Sequence, residues 1–103
     1  MTFGFPAHHT ESYSAGAVTA DLRTAARETL AALTWSLREE TADGIVASTS
    51  ANLRSWGEKV LITFAPDNSV SVTSKCALTT QCLDWGKNKA NVAKFMTEFK
   101  QHL

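Results

Sequence analysis

The sequence has few of the residues that hold small folds together through disulfides or metals. Two cysteines and three histidines occur among 103 residues. The spacing of Cys76 and Cys82 matches no zinc or redox motif. Two free thiols are the default for such a pair in a cytoplasmic protein, and a disulfide stays open as the alternative. We therefore predict no metal site and no cofactor, and a fold held together by side-chain packing.

The sequence also lacks net charge and long apolar runs. Ten basic and ten acidic side chains cancel. A general affinity for nucleic acid requires a basic surface, so neutrality argues against that class of partner. No apolar run approaches the roughly 18 residues of a membrane span, and the first residues do not resemble a signal peptide. The sequence therefore predicts a cytoplasmic protein without a transmembrane segment in this chain.

The residues that are present suit one domain covering residues 1–103. Hydrophobic residues make up 44% of the chain and charged residues 19%, which is close to the average of globular proteins. We find no internal repeat, no low-complexity stretch and no linker. The chain is long enough to build one hydrophobic core.

Hydrophobic periodicity predicts a strand and a helix in the N-terminal third. Phe3 and Phe5 alternate within residues 2–6, which predicts a short strand that Pro6 either confines to a sheet edge or ends. Ser14, or alternatively Thr19, is the predicted N-cap of the helix that follows. An apolar stripe with helical spacing defines that helix: Val18, Leu22, Ala25, Ala26, Thr29, Leu30 and Leu33.

From Thr34 the apolar period changes to two, which predicts strands. We expect them over residues 35–40, 45–50, 58–65 and from 69 to 76 or 78. Residues 41–44 contain Asp-Gly, which tolerates the positive φ of hairpin turns, and residues 66–68 form a second turn. Strands joined in this way make an antiparallel meander.

Near the C-terminus the helical period returns. Asn88 or Asn91 is the predicted cap of a helix whose stripe contains Val92, Phe95, Met96, Phe99 and Leu103. The resulting order, β-α-β-β-β-β-α, predicts an α+β fold. It consists of a four- or five-stranded antiparallel meander sheet with two helices packed on one face. This order resembles half of the TATA-binding-protein fold and helix-grip domains, a likeness that carries no function.

Two Trp-Gly segments stand out from the rest of the chain. They are SWGE at residues 55–58 and DWGKNKAN at residues 84–91. Together with the S-K-x4-T-Q-x2 stretch before the second segment, they resemble a widespread family of small uncharacterised bacterial α/β domains. Members of that family stand alone or beside membrane segments. The resemblance covers roughly residues 15–103 and implies a fold, but no activity.

These segments supply the candidate ligand-binding residues. A helix N-terminus favours anions, nearby lysines would strengthen that preference, and an exposed indole can stack on a ligand. An anionic small molecule or a protein partner is therefore one hypothesis. The alternative is structural, with glycines forming turns, tryptophans packing on the sheet edge and polar residues capping. The candidates are Trp56, Glu58, Asp84, Trp85, Lys87, Asn88, Lys89 and Asn91.

No recognisable catalytic frame accompanies these residues. His8 and His9 are adjacent on an extended segment and point to opposite sides, so they chelate metals poorly. Glu39 and Glu40 point to opposite faces of a strand, which does not suit shared acid–base chemistry. We predict a solvated edge there.

The sequence therefore favours a non-catalytic binding or interaction domain. The first alternative is a small enzyme with a site in the sheet–helix groove near Glu58, Asp84 and Lys87. The second is nucleic-acid binding through the sheet face. Homo-oligomers formed by edge-strand pairing are compatible with each of these functions.

Overall fold

The computed structural model describes residues 8–16, 21–49, 58–76 and 87–103, apart from the side chains of Cys76 and Lys87. These residues form a five-stranded sheet and two helices. In chain order the elements are β1 (His8–Ser14), α1 (Leu22–Leu33), β2 (Ser36–Glu40), β3 (Gly44–Ser48), β4 (Glu58–Ala65), β5 (Ser69–Cys76) and α2 (Lys87–Lys100).

The sheet is antiparallel throughout, with the spatial order β1-β5-β4-β3-β2. Strands β2 to β5 form the expected meander, and β1 pairs with β5 to become the far edge. Helix α2 contacts β5 and β1, whereas α1 contacts β2 and β4. The predicted α+β architecture, with two helices on one face of the sheet, is confirmed.

Alternation along the strands creates the core. In β4, Val60 and Ile62 are buried, whereas Lys59 and Thr63 are exposed. Because successive side chains of a strand point to opposite faces, one face of the sheet is apolar and meets the helices. The apolar face and the helices share one buried cluster: Ala15, Leu22, Ala25, Ala26, Leu30, Ile45, Ala47, Val60, Ile62, Val70, Val72, Val92, Phe95, Met96 and Phe99.

The first described strand lies in a segment where the sequence does not predict one. The strand predicted over residues 2–6 falls outside the described residues. Strand β1 instead runs from His8 to Ser14, pairing with β5 from Lys75 to Ser69. Its sequence has little apolar alternation because none of its side chains is fully buried, and Tyr13 is the residue of β1 that packs against the core. Side-chain hydroxyl pairs join it to β5, with 2.7 Å between Thr10 Oγ1 and Thr73 Oγ1.

Helix α1 is capped by a residue other than the two we predict. Ser14 ends β1, so the prediction that it caps the helix is wrong, and Thr19 lies outside the described residues. The cap is Asp21, whose carboxylate accepts from the backbone N–H groups of Arg23 at 3.0 Å and Thr24 at 3.4 Å. A short acidic side chain satisfies the first orphan N–H groups of a helix well.

Helix α1 ends where the apolar period changes. Thr34 adopts the left-handed conformation, with φ 56°, and its N–H donates to the carbonyl oxygen of Ala31 at 3.1 Å. The next residue, Trp35, stacks its ring on Phe95 of α2 with centroids 6.3 Å apart. The chain therefore leaves the helix directly into the sheet.

The hairpin between β2 and β3 forms as predicted, but its glycine is needed for another reason. Positive φ occurs among the described residues at Gly16, Thr34 and Asn68, and not at Gly44. A Cβ at Gly44 would overlap the carbonyl oxygen of Ile62 on the neighbouring strand. Close approach of two backbones, and not turn geometry, requires glycine here. In the second turn Asn68 does adopt a positive φ, of 63°.

Helix α2 buries the predicted stripe, with Phe95 and Phe99 fully buried and stacked at 5.5 Å between ring centroids. Leu103 lies beyond the helix end and is half-buried. The prediction that Asn88 or Asn91 caps the helix is wrong. Both lie inside the helix, and they are only 1% and 9% exposed. No helix within the described ranges has the length and apolar character to cross a bilayer.

Candidate functional site

One end of the space between sheet and helix is filled by polar side chains instead of apolar ones. At this end β3 finishes, β4 begins, β5 finishes and α2 begins. All of the side chains involved are buried or half-buried and face the same interior. We call this group the buried polar cluster, and it consists of Thr49, Glu58, Ser74, Asn88 and Asn91.

Glu58 joins the end of β3 to helix α2. Its carboxylate oxygen Oε1 accepts from the Thr49 hydroxyl at 3.2 Å and from the Asn91 amide nitrogen Nδ2 at 3.0 Å. The backbone N–H of Glu58 donates to the hydroxyl oxygen of Thr49 at 2.9 Å. In return, the Thr49 N–H donates to the Glu58 carbonyl at 3.0 Å. The same pair of residues therefore closes the base of the connection between β3 and β4.

Ser74 joins the end of β5 to the same helix. Its hydroxyl donates to Asn88 Oδ1 at 2.8 Å and accepts from Asn91 Nδ2 at 3.2 Å. Asn91 thus bridges Glu58 on β4 and Ser74 on β5 with one amide group. Three elements are fixed to each other through this single side chain.

The buried polar cluster has its hydrogen bonds satisfied and is largely shielded from solvent. Ser74 is 0% exposed and Glu58 9% exposed. Among the described residues no buried side-chain nitrogen or oxygen lacks a hydrogen-bond partner. A nucleophile or general base must reach a substrate. The Ser74 hydroxyl instead donates a hydrogen bond to Asn88 inside the cluster. The geometry indicates a structural role, in which these hydrogen bonds hold helix α2 to the sheet.

The structure brings three of the eight candidate site residues together, namely Glu58, Asn88 and Asn91. Lys89 follows Asn88 in α2 but is exposed, so it lies away from the cluster. The remaining candidates fall outside what the structure describes: Trp56, Asp84, Trp85 and the side chain of Lys87.

Thr49 and Ser74 belong to the cluster although they were not among the candidates. The period-two pattern carries the signal for both strands. Ser74 lies two residues after buried Val72, and Glu58 two residues before buried Val60, so both continue the inward face. In α2, Asn91 lies four residues before Phe95 and therefore on the apolar stripe. A polar residue in register with a core face predicts a buried hydrogen bond.

The opposite face of the sheet is not covered by any described element, and we call it the open face. Its side chains alternate with those of the core. Near the buried polar cluster, Lys59 on β4 lies directly opposite Lys75 on β5, which in turn lies opposite His8 on β1. All three are exposed. We call these residues the basic row.

Like charges directly opposite one another in a sheet are destabilising, by up to about 1 kcal/mol. Within the described residues, no ion pair of 4.0 Å or less joins Lys59 or Lys75 to an acidic group. The rest of the open face is rich in hydroxyls, with half-buried Val46 and Leu61 near its centre. This surface combines two lysines that form no ion pair with a described acidic group and several small polar side chains.

A second polar group lies beside α1, at the surface. Glu40 Oε2 is 2.9 Å from Arg23 Nη1 and 2.5 Å from Arg27 Nη2. Hydrogen bonds from Arg27 and then Arg23 lower the pKa of Glu40, and the bond to Glu40 raises the pKa of Arg27. We call Arg23, Arg27 and Glu40 the arginine–glutamate cluster. Glu39 does point the other way, onto the open face opposite Val46. Both glutamates are exposed on the edge strand β2, as predicted, although Glu40 is also paired with two arginines.

Histidine and cysteine chemistry is sparse in the described part of the chain. His9 is 2.8 Å from Glu11, and His102 bridges Glu28 and Glu98 at 3.0 and 3.1 Å. No group of three or more His, Cys, Asp or Glu side chains in residues 8–16, 21–49, 58–76 and 87–103 could hold a metal ion. Cys82 and the side chain of Cys76 lie outside this part.

Comparisons with known proteins add no assignment to this geometry. No protein-family model matches the chain, and no curated protein and no solved structure is significantly similar to it.

Proposed function

We propose that this chain is a non-catalytic interaction domain that binds an acidic protein partner through its open face. The observation that carries the proposal is the basic row, in which Lys59 and Lys75 face each other without a described acidic neighbour. An acidic partner relieves that repulsion and supplies the missing counter-charges. Pairing across an interface is where such lysines gain most, because water is then partly excluded.

The cross-strand rows of side chains on the open face favour a macromolecule over a small ligand. Small-molecule sites are concave and bury most of the ligand. The open face instead presents the side chains of adjacent strands at one level, including Thr73, Leu61 and Val46 in a single row. A surface of this shape suits another protein surface.

The buried polar cluster weighs against the enzyme alternative. A site built on Glu58 requires the carboxylate to reach a substrate in the groove. Glu58 is instead 9% exposed and accepts from Asn91 and Thr49. That the protein is bacterial and acts in the cytoplasm stays a prediction from the sequence.

The test is a calorimetric titration of the full chain with a synthetic glutamate-rich peptide. We expect binding that weakens as salt rises and that falls at least about tenfold in Lys59→Ala and Lys75→Ala, since each tenfold corresponds to about 1.4 kcal/mol. Lys89→Ala and Lys94→Ala remove the same charge from exposed positions of α2 and serve as matched controls.

Two further titrants separate the alternatives. An oligonucleotide of equal charge that binds more tightly than the peptide would favour nucleic acid and contradict the proposal. Inorganic phosphate that binds as tightly would favour a small anion and contradict it as well. Equal loss of peptide binding in the lysine variants and in the α2 controls would show non-specific attraction, which also overturns it.

A further inference from the structure

The open face carries an acidic residue at the end opposite to its basic row. The turn between β4 and β5 contains Asp67, whose carboxylate accepts from the Ser69 hydroxyl at 2.5 Å. Ser69 precedes buried Val70 and therefore points to the open face. The Asp67 carboxylate thus lies on the open-face side of the turn, at the top of the two strands that carry Lys59 and Lys75 at the bottom.

Asp67 cannot neutralise those lysines within its own copy. The cross-strand pair of Lys59 and Lys75 is three rows away from the pair of Ala65 and Ser69, and each row spans two residues. At about 3.4 Å per residue, this separation is roughly 20 Å. The two ends of this face therefore carry complementary charges, on Asp67 and on the two lysines, that are too distant to meet in one chain.

We infer that the partner is a second copy of this chain, which presents Asp67 to the basic row and packs face to face through the open face with the strands reversed. This inference rests on the proposed function and names its partner. A two-fold axis across the strands, at the middle of the face, places the turn of one copy over the basic row of the other. Asp67 then lies between the partner strands that carry Lys59 and Lys75. Two such contacts form because the interface is isologous.

The middle of the face is also complementary to itself under this rotation. The row holding Leu61 and Val46 falls on the row holding Thr63 and Gly44. Half-buried apolar side chains therefore meet smaller residues. Packed sheets lie about 10 Å apart, a gap that a lysine and an aspartate together span.

The area of the face suits a weak dimer. Five strands at about 4.8 Å spacing and up to eight residues long cover roughly 600 Å², which gives about 1,200 Å² over both copies. This value is at the lower limit of standard specific interfaces. We therefore expect an association that depends on protein concentration and weakens with salt.

Charge reversal tests the arrangement by sedimentation equilibrium of the full chain over a concentration series. Lys75→Glu and Asp67→Lys should each raise the dimer dissociation constant at least about tenfold. The double variant should restore it, because the pair re-forms between copies with reversed sign. Lys94→Glu, on the exposed side of α2, should leave it unchanged. A wild-type chain that stays monomeric at all concentrations, or a double variant without restoration, overturns the inference.

Zero-length carbodiimide cross-linking of the wild type gives a readout that needs no variant. Mixing isotopically labelled and unlabelled chains identifies links between copies, and we expect them to join Asp67 to Lys59 or Lys75. Links between copies confined to other residues would contradict the arrangement. If the chain is monomeric but the glutamate-rich peptide still binds at Lys75, the inference fails and the proposed function stands. If neither association occurs, both fail.

Discussion

Two polar clusters connect the helices to the sheet. One of them is buried and the other lies at the surface. The buried polar cluster holds α2 and is sealed from water, with Asn91 at 9% exposure. The arginine–glutamate cluster holds α1 to β2 and stays wet, with the side chains of Arg23 and Glu40 each 26% exposed. Neutral amides and a carboxylate make the first, and full charges make the second.

This difference in burial determines how much the hydrogen bonds and ion pairs of each cluster stabilise the fold. A hydrogen bond in a dry interior has no competing water, and removing one partner leaves another group unsatisfied. Charges at the surface retain most of their hydration, so their pairing contributes little. The cluster with fewer charges is therefore the one whose loss should matter more.

The largest effect that we expect comes from Asn91→Ala. The change removes the donor to Glu58 and Ser74 and leaves both oxygens in a buried site. Unfolding in urea should show a loss of about 2–3 kcal/mol. Lys89→Ala on the exposed side of the same helix is the control and should change little. Similar losses in both variants would mean that the cluster is not specially stabilising.

A smaller loss of stability is expected when a side chain is added at Gly44, in the hairpin between β2 and β3. Gly44→Ala places a methyl group against the carbonyl of Ile62, so the strands must shift, and we expect a loss of about 1–3 kcal/mol. Gly16→Ala is the comparison, because its Cβ would meet nothing within 4 Å and only its φ of 57° is unfavourable. That variant should lose about 1 kcal/mol or slightly more. If Gly44→Ala is as stable as the wild type, the two strands are not in close contact there.

A still smaller loss of stability is expected from a change in the arginine–glutamate cluster. Glu40→Gln removes the charge that pairs with Arg23 and Arg27. The midpoint of urea unfolding should fall slightly at low salt and match the wild type at high salt, because screening already weakens the pair. Glu39→Gln makes the same chemical change one residue earlier, on the open face. A salt-independent loss in Glu40→Gln would contradict this account.

Acid should destabilise the fold around helix α1 through the carboxylates of Glu40 and Asp21. Hydrogen bonds from Arg27 and Arg23 lower the pKa of Glu40 from its ordinary value of 4.5, and those from Thr24 lower that of Asp21 from 3.8. A carboxylate with a lowered folded-state pKa stabilises the fold above its ordinary pKa, and this stability is lost as pH falls through the folded value. The unfolding midpoint should decline less steeply with acid in Glu40→Gln than in the wild type. An unchanged slope would contradict the prediction.

Much of the architecture follows from periodicity alone. The sequence predicts strand β4 with its observed limits, because Val60, Ile62 and Phe64 alternate cleanly before the turn at residues 66–68. The sequence does not predict the edge strand β1, since its residues are mostly polar and its pairing with β5 is a contact between distant parts of the chain. Local pattern cannot reveal such a partner.

The candidate site was predicted in part. Glu58, Asn88 and Asn91 were selected because they stand in unusual segments, and they do meet in space. Their burial was not predicted, because polar residues near predicted element ends were interpreted as caps or ligands. The charge complementarity of the open face depends on strand register, which places Lys59 opposite Lys75. Sequence spacing does not give that register.

The most direct test of the central claim, that Asn91 joins helix and sheet in a dry site, is the exchange rate of its side-chain amide protons with water, measured by NMR. Nδ2 donates to Glu58 and Ser74 in a buried position. We therefore predict much slower exchange than for the amide of exposed Gln101. Equally fast exchange at the two side chains would contradict the account.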